Sequence, residues 1–179
     1  MNDDALQSEE PAEHLRFWAY LSTLEQVTDA AEPELIREVL ADPDQMMAQS
    51  AVTRHLDRRA GELHRGPGYE PWVEMMTRTT RGIPFLTQRL REWTLFRAIT
   101  LRQAWDPDDL LATSNWLQLK TAEGSNTDTL EVLADNGRTK RIRNIARTNL
   151  QHQPPALNRK PTSTSLDYCS ERPRGGSMG

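Results

Sequence analysis

The chain has one cysteine, Cys169, so it can form no internal disulfide. Lysine is almost missing too. Lys120, Lys140 and Lys160 are the only three among 22 basic residues, and arginine supplies the rest. Arginine in place of lysine, with abundant alanine, aspartate and threonine, is what a GC-rich coding sequence produces, so an arginine alone is not taken as a phosphate contact. No run approaches the roughly eighteen apolar residues of a membrane span. The opening "MNDDALQSEEPAEHL" is acidic and lacks an apolar core, so neither a secretory signal nor a transit peptide is expected. A cytoplasmic protein without membrane attachment is the expectation. With 22 basic and 26 acidic residues, the net charge of -4 is too mild to name a partner. Strand patterns are also missing, because no stretch alternates apolar and polar residues for more than a few positions.

What is present is helical periodicity. The 179 residues suit one domain with trimmings: an acidic, disordered segment over 1–10, a single helical domain over 11–150, and a disordered tail over 151–179 rich in proline, serine and threonine. Phe17, Tyr20, Leu21, Leu24 and Val27 form one stripe, which Trp18 widens. Leu35, Ile36, Val39 and Leu40 face inward from a short second helix. Ala48, Val52, Leu56 and Leu63 line a third, with Asp42 as its cap and Pro43 at its first turn. After the turn "RGPGYEP" comes a helix from Pro71. The next, with Leu86, Leu90, Trp93, Phe96 and Ile99, runs to about Trp105 and is apolar over much of its circumference, which predicts the central helix. One helix then starts at Asp106-Pro107 and ends at Gly124, a short one follows, and the last carries Ile142, Ile145, Ala146 and Leu150 inward.

The pentapeptide "EVLAD" occurs twice, at 38–42 and 131–135. The flanks also align, Leu24 with Leu117 and Thr28 with Thr121. Each copy follows a longer amphipathic helix and precedes another, so Leu40 and Leu133 are expected to be equivalent buried residues. Asp42 and Asp135 are each expected to cap the helix that follows. Half the separation is about 46 residues, inside the roughly 40–47 of HEAT and armadillo units. On these segments the chain from Leu21 to Leu150 resembles a HEAT/armadillo-like α-helical repeat protein. The resemblance implies an all-α, short right-handed helical-repeat array of about seven helices, and it carries no activity with it.

Chemistry is hard to assemble. No Walker loop, dinucleotide fingerprint, nucleophile elbow or HExxH occurs. His14, His55, His64 and His152 are too scattered for a zinc set, and Cys169 sits in the tail without a base. The paired carboxylates Asp42 and Asp44, and Asp108 and Asp109, fall at helix starts, where they complement the helix dipole. No catalytic group, metal, cofactor or small-molecule substrate is inferred. Of the five tryptophans most are expected in the core, with Trp105 left at the surface.

The sharpest feature is the basic run "GRTKRIRNIAR". On a helix, Lys140, Arg143 and Arg147 form a stripe opposite Ile142, Ile145 and Ala146, with Arg138 and Arg141 close by. Arg54, Arg58 and Arg65 mark the corresponding helix of the first unit, beside Arg59. A solvated face is the plain reading. The functional one is a non-enzymatic module that binds a protein through these basic faces, with nucleic acid as the alternative partner. No aromatics interleave with the run to stack on bases, which favours protein.

Overall fold

A computed structural model of the chain describes residues 12–124 and 126–152. Among them are nine helices and no strand: α1 (Ala12–Gln26), α2 (Glu32–Leu40), α3 (Gln45–Leu63), α4 (Tyr69–Thr79), α5 (Pro84–Thr100), α6 (Pro107–Ala112), α7 (Asn115–Ala122), α8 (Thr127–Asn136) and α9 (Lys140–His152). No helix among the described residues is long and apolar enough to cross a membrane. The disorder expected over 1–10 and past His152 lies outside the described residues, while Gln151 and His152, expected to begin the tail, close α9.

The helices form two rows. In one, α1 packs on α3, α3 on α5, α5 on α7 and α7 on α9; in the other, α2 lies beside α4 and α6 beside α8. Consecutive helices from α1 to α5 and from α6 to α9 join the rows. The expected central position of α5 is found: Leu86, Leu90, Trp93 and Ile99 are buried, and α5 touches α3, α4 and α7. Two apolar clusters result. One spans α1 to α5, and the other runs from Ile99 at the end of α5 through α8 and α9.

Nine helices stand where about seven were expected, partly because 107–123 is two helices. The break is made from outside. Ser114 is extended (φ -67, ψ 162), and its N–H and hydroxyl donate to the buried Glu92 of α5 at 2.8 and 3.0 Å. Glu92 thus caps α7 across the core. Gln118, fully buried, donates to Leu111 O at 3.0 Å and accepts from Arg138 N at 2.9 Å, fastening α6 and the start of α9 to α7. α5 stops at Thr100 rather than Trp105, and Trp105 is half-buried against the second cluster. The tryptophan left at the surface is Trp18, 55% exposed, because among the described helices α1 packs mainly on α2 and α3.

The two pentapeptides occupy unlike places. The first ends a helix: Val39 is buried, Leu40 half-buried, and Ala41 is the C-cap. The second lies within α8, with Leu133 and Ala134 buried and Val132 half-buried. Leu40 and Leu133 are therefore not equivalent. Neither aspartate caps the next helix. Asp42 accepts from Tyr20 Oη at 2.7 Å and Asp44 N at 2.8 Å, while Asp44 caps α3 by accepting from Met47 N at 3.0 Å. Asp135 is exposed inside α8, and Thr139 caps α9 through Ile142 N at 3.2 Å.

What does recur is the three-helix unit. α1, α2 and α3 touch one another as α7, α8 and α9 do. Their fully buried residues pair ninety-four positions apart, one more than the pentapeptides: Ile36 with Leu130, Val39 with Leu133, Ala48 with Ile142, Val52 with Ala146. In both units the third helix ties back to the end of the first. Arg58 donates to Leu24 O at 3.2 Å, and Asn149 to Ala122 O at 2.8 Å. The α8–α9 corner is tight. A Cβ on Gly137 would lie 2.5 Å from Leu133 O and 2.7 Å from Ile142 Cγ2.

Unequal burial gives unequal costs. Leu133→Ala should lose about 3–5 kcal/mol in urea denaturation, and Leu40→Ala no more than about half of that, since large-to-small changes cost most at fully buried sites. Equal losses would restore the pentapeptide register.

Candidate interaction surface

α9 is amphipathic in a simple way. Ile142 and Ala146 are fully buried, Ile145 and Leu150 half-buried, and the other side is basic. Arg138, Lys140, Arg141 and Arg147 are exposed and have no side-chain partner among the described residues. Lys140 and Arg141 occupy the first turn of α9, which has no acidic residue. There the helix dipole presents its positive end, so cations at that position cost a few tenths of a kcal/mol each. Arg143 departs from the expected stripe. It is half-buried, and its Nη1 donates to Gly137 O at 2.6 Å, which ties down the α8–α9 corner.

The basic residues of α3 are differently employed. Arg54 is exposed, 6.0 Å from the Trp18 ring centroid. Arg58 pairs with Glu62 at 3.0 Å and donates to Leu24 O. Arg59 pairs with Asp29 at 2.5 Å, with Glu62 at 3.3 Å and with Glu32 at 3.4 Å. Acidic groups from the α1–α2 turn and from α3 itself take up these charges. α3 therefore lacks the free basic face read from its sequence. In the row of odd-numbered helices α5 and α7 stand between α3 and α9, so the two sets of arginines do not form one patch.

Beneath Arg58 and Arg59 lies the main buried polar group of this half. Glu32, fully buried at the first turn of α2, accepts from Trp72 Nε1 at 3.1 Å and is joined to His55 Nε2 at 2.7 Å. Burial by itself would raise the Glu32 carboxyl; the hydrogen bonds from His55 and Trp72 and the positive charge of Arg59 outweigh it and hold the group below its ordinary value. The other His55 nitrogen, Nδ1, faces Arg58 Nη2 at 3.4 Å. Arginine can only donate, so Nδ1 accepts and Nε2 carries the proton toward Glu32. With both nitrogens engaged, His55 is a structural link and not a free base.

No family model, curated protein or solved structure matches the chain. Its reading rests on its own geometry. Among the described residues no three His, Cys, Asp or Glu side chains gather where they could hold a metal ion. Cys169 lies outside those residues. The Glu32–His55–Trp72 network was not visible in the sequence, where Glu32 before Pro33 looks like an ordinary acidic residue at a helix start. Partners 23 and 40 positions away leave no local signal.

Glu32→Gln should cost about 1–3 kcal/mol at neutral pH, as leaving buried hydrogen-bond donors without their charged acceptor does. The folded-state pKa is depressed, so the ionised group's contribution is complete above the ordinary glutamate value of 4.5 and is lost as pH falls through the lower folded value. The stability gap between wild type and Glu32→Gln, followed by urea titration at successive pH values, should stay constant above that range and narrow below it. A gap that widened in acid would show the carboxyl to be protonated in the fold.

Proposed function

We propose that this chain is a non-enzymatic, HEAT/armadillo-like helical-repeat module that binds another macromolecule, an acidic segment of a protein, on the exposed basic face of α9. The observation that carries this reading is the set Arg138, Lys140, Arg141 and Arg147, exposed and unpaired among the described residues, with Lys140 and Arg141 at the positive end of a helix. Folding gains nothing from that placement, since acids belong at a helix start. An anionic partner turns the same charges into an attraction. The repeat part of the reading is supported by the two helix rows and by the matching α1–α3 and α7–α9 units. Protein is favoured over nucleic acid because α9 carries no Phe, Tyr or Trp on which bases could stack, and because the whole chain has a net charge of -4.

The test replaces Lys140, Arg141 and Arg147 together with glutamine and leaves the structural Arg143 in place. Stability should be unchanged or higher by a few tenths of a kcal/mol, because cations leave the positive end of the helix. Partner capture from the native host should fall, and its dependence on salt should flatten. If capture persists with the same salt dependence, the face is merely solvated. If nuclease treatment abolishes every captured species, the partner is nucleic acid.

A further inference from the structure

A cleft of about 430 Å³ opens between the end of α5, the loop after it and the α7–α8 junction. Its size suits a small ligand. Phe96, Ile99 and Leu101 give it an apolar wall, and two arginines, Arg65 and Arg102, line it as well. Both arginines are exposed, and neither makes an ion pair or side-chain hydrogen bond with a described residue.

The hydroxyls on the cleft set it apart. A threonine inside a helix commonly returns its hydroxyl to the carbonyl four residues back. Thr77, Thr79, Thr80, Thr87 and Thr94 all do so here, at 2.7 to 3.2 Å. Thr121 does not. It is 3% exposed, it lines the cleft, and its Oγ1 is buried with no hydrogen-bond partner. A buried hydroxyl left unpaired costs stability, so an orphan beside a cleft needs a reason. Thr100, also on the cleft, makes no side-chain hydrogen bond with a described residue either.

Arg102 is the second anomaly. α5 ends in a Schellman turn, with Arg102 N donating to Ile99 O at 3.2 Å and Gln103 N to Ala98 O at 2.9 Å. The residue between them must take a left-handed conformation, which favours glycine, yet Arg102 sits there at φ 55. The turn accounts for the conformation. It does not account for an arginine at this position on the cleft. The start of α8 adds little, because Asn126 Oδ1 already accepts from Asp128 N at 3.1 Å.

We propose that this cleft binds a small ligand bearing an oxyanion, a phosphate or a carboxylate, on a flat apolar group. Arg65 and Arg102 hold the anion, Thr121 and Thr100 supply hydroxyl donors, and the apolar group lies on Phe96 and Ile99. The site is separate from the basic face of α9 and stands whether or not that face binds a protein.

The test is an amide NMR titration of the full chain with three probes of one shape: phenyl phosphate, benzoate and benzyl alcohol. Saturable shifts at Thr100, Arg102 and Thr121 are expected with at least one of the two anions and not with the alcohol. The tighter anion identifies the oxyanion. Arg65→Gln should weaken binding about tenfold, as loss of a charged hydrogen bond does. Arg102→Gly and Thr121→Val should also weaken it while leaving thermal stability equal or higher, because one relieves the left-handed backbone and the other removes the orphan hydroxyl. Absence of saturable shifts with either anion, equal shifts with the alcohol, or binding unchanged in Arg65→Gln and Arg102→Gly would overturn the proposal.

Discussion

A single carboxylate holds the first half of this protein together. Glu32 is fully buried and satisfied from two neighbouring helices, by His55 of α3 and Trp72 of α4, with Arg59 of α3 close by. A charge so placed tolerates little change, since moving any partner leaves it uncompensated away from water. The three helices must therefore meet in one arrangement. Leu24, Ile36, Val39, Ala48, Val52 and Met76 close around that arrangement as the first apolar cluster. The apolar contacts supply the driving force, and the carboxylate makes the geometry specific.

Polar groups do the same work along the rest of the chain. Arg97 of α5 donates to both Glu70 oxygens, at 3.0 and 3.1 Å, and to the His64 carbonyl, which fixes the α3–α4 turn against the central helix. Glu92 decides where α7 begins. Gln118 joins α6, α7 and the start of α9. Between the two clusters, Lys120 Nζ lies 4.7 Å from the Trp93 ring centroid and 5.0 Å from that of Phe96, so a cation from α7 rests on aromatic rings of α5. Burial of apolar stripes explains why these helices pack at all. The buried polar links explain why consecutive helices stop, turn and start at particular residues.

The consequence for function is a division of the arginines. Arg58, Arg59, Arg97 and Arg143 serve the fold through hydrogen bonds and ion pairs to internal acceptors. Arg141 and Arg147, with Lys140, face solvent on α9, as Arg138 does just before it, while Arg65 and Arg102 line the cleft after α5. Sequence alone placed Arg54, Arg58, Arg59 and Arg65 in one class with the arginines from Arg138 to Arg147. Only the acceptors folded beside them separate structural cations from those left for partners.

The apolar spacing in the sequence determined that the chain is helical, where most helices lie, that α5 is central, and which side of α9 faces inward. Those properties follow from a 3.6-residue period and are local. The tertiary structure decided the rest. It split 107–123 at Ser114, because a carboxylate 22 positions upstream caps the new helix there. It moved the cap of α3 from Asp42 to Asp44, because Tyr20 took the first aspartate. It also gave one pentapeptide two roles: near a helix end Val39 turns inward, and within a helix Leu133 does. Which face of a short helix is buried depends on how its neighbours cross it, and five residues do not carry that information.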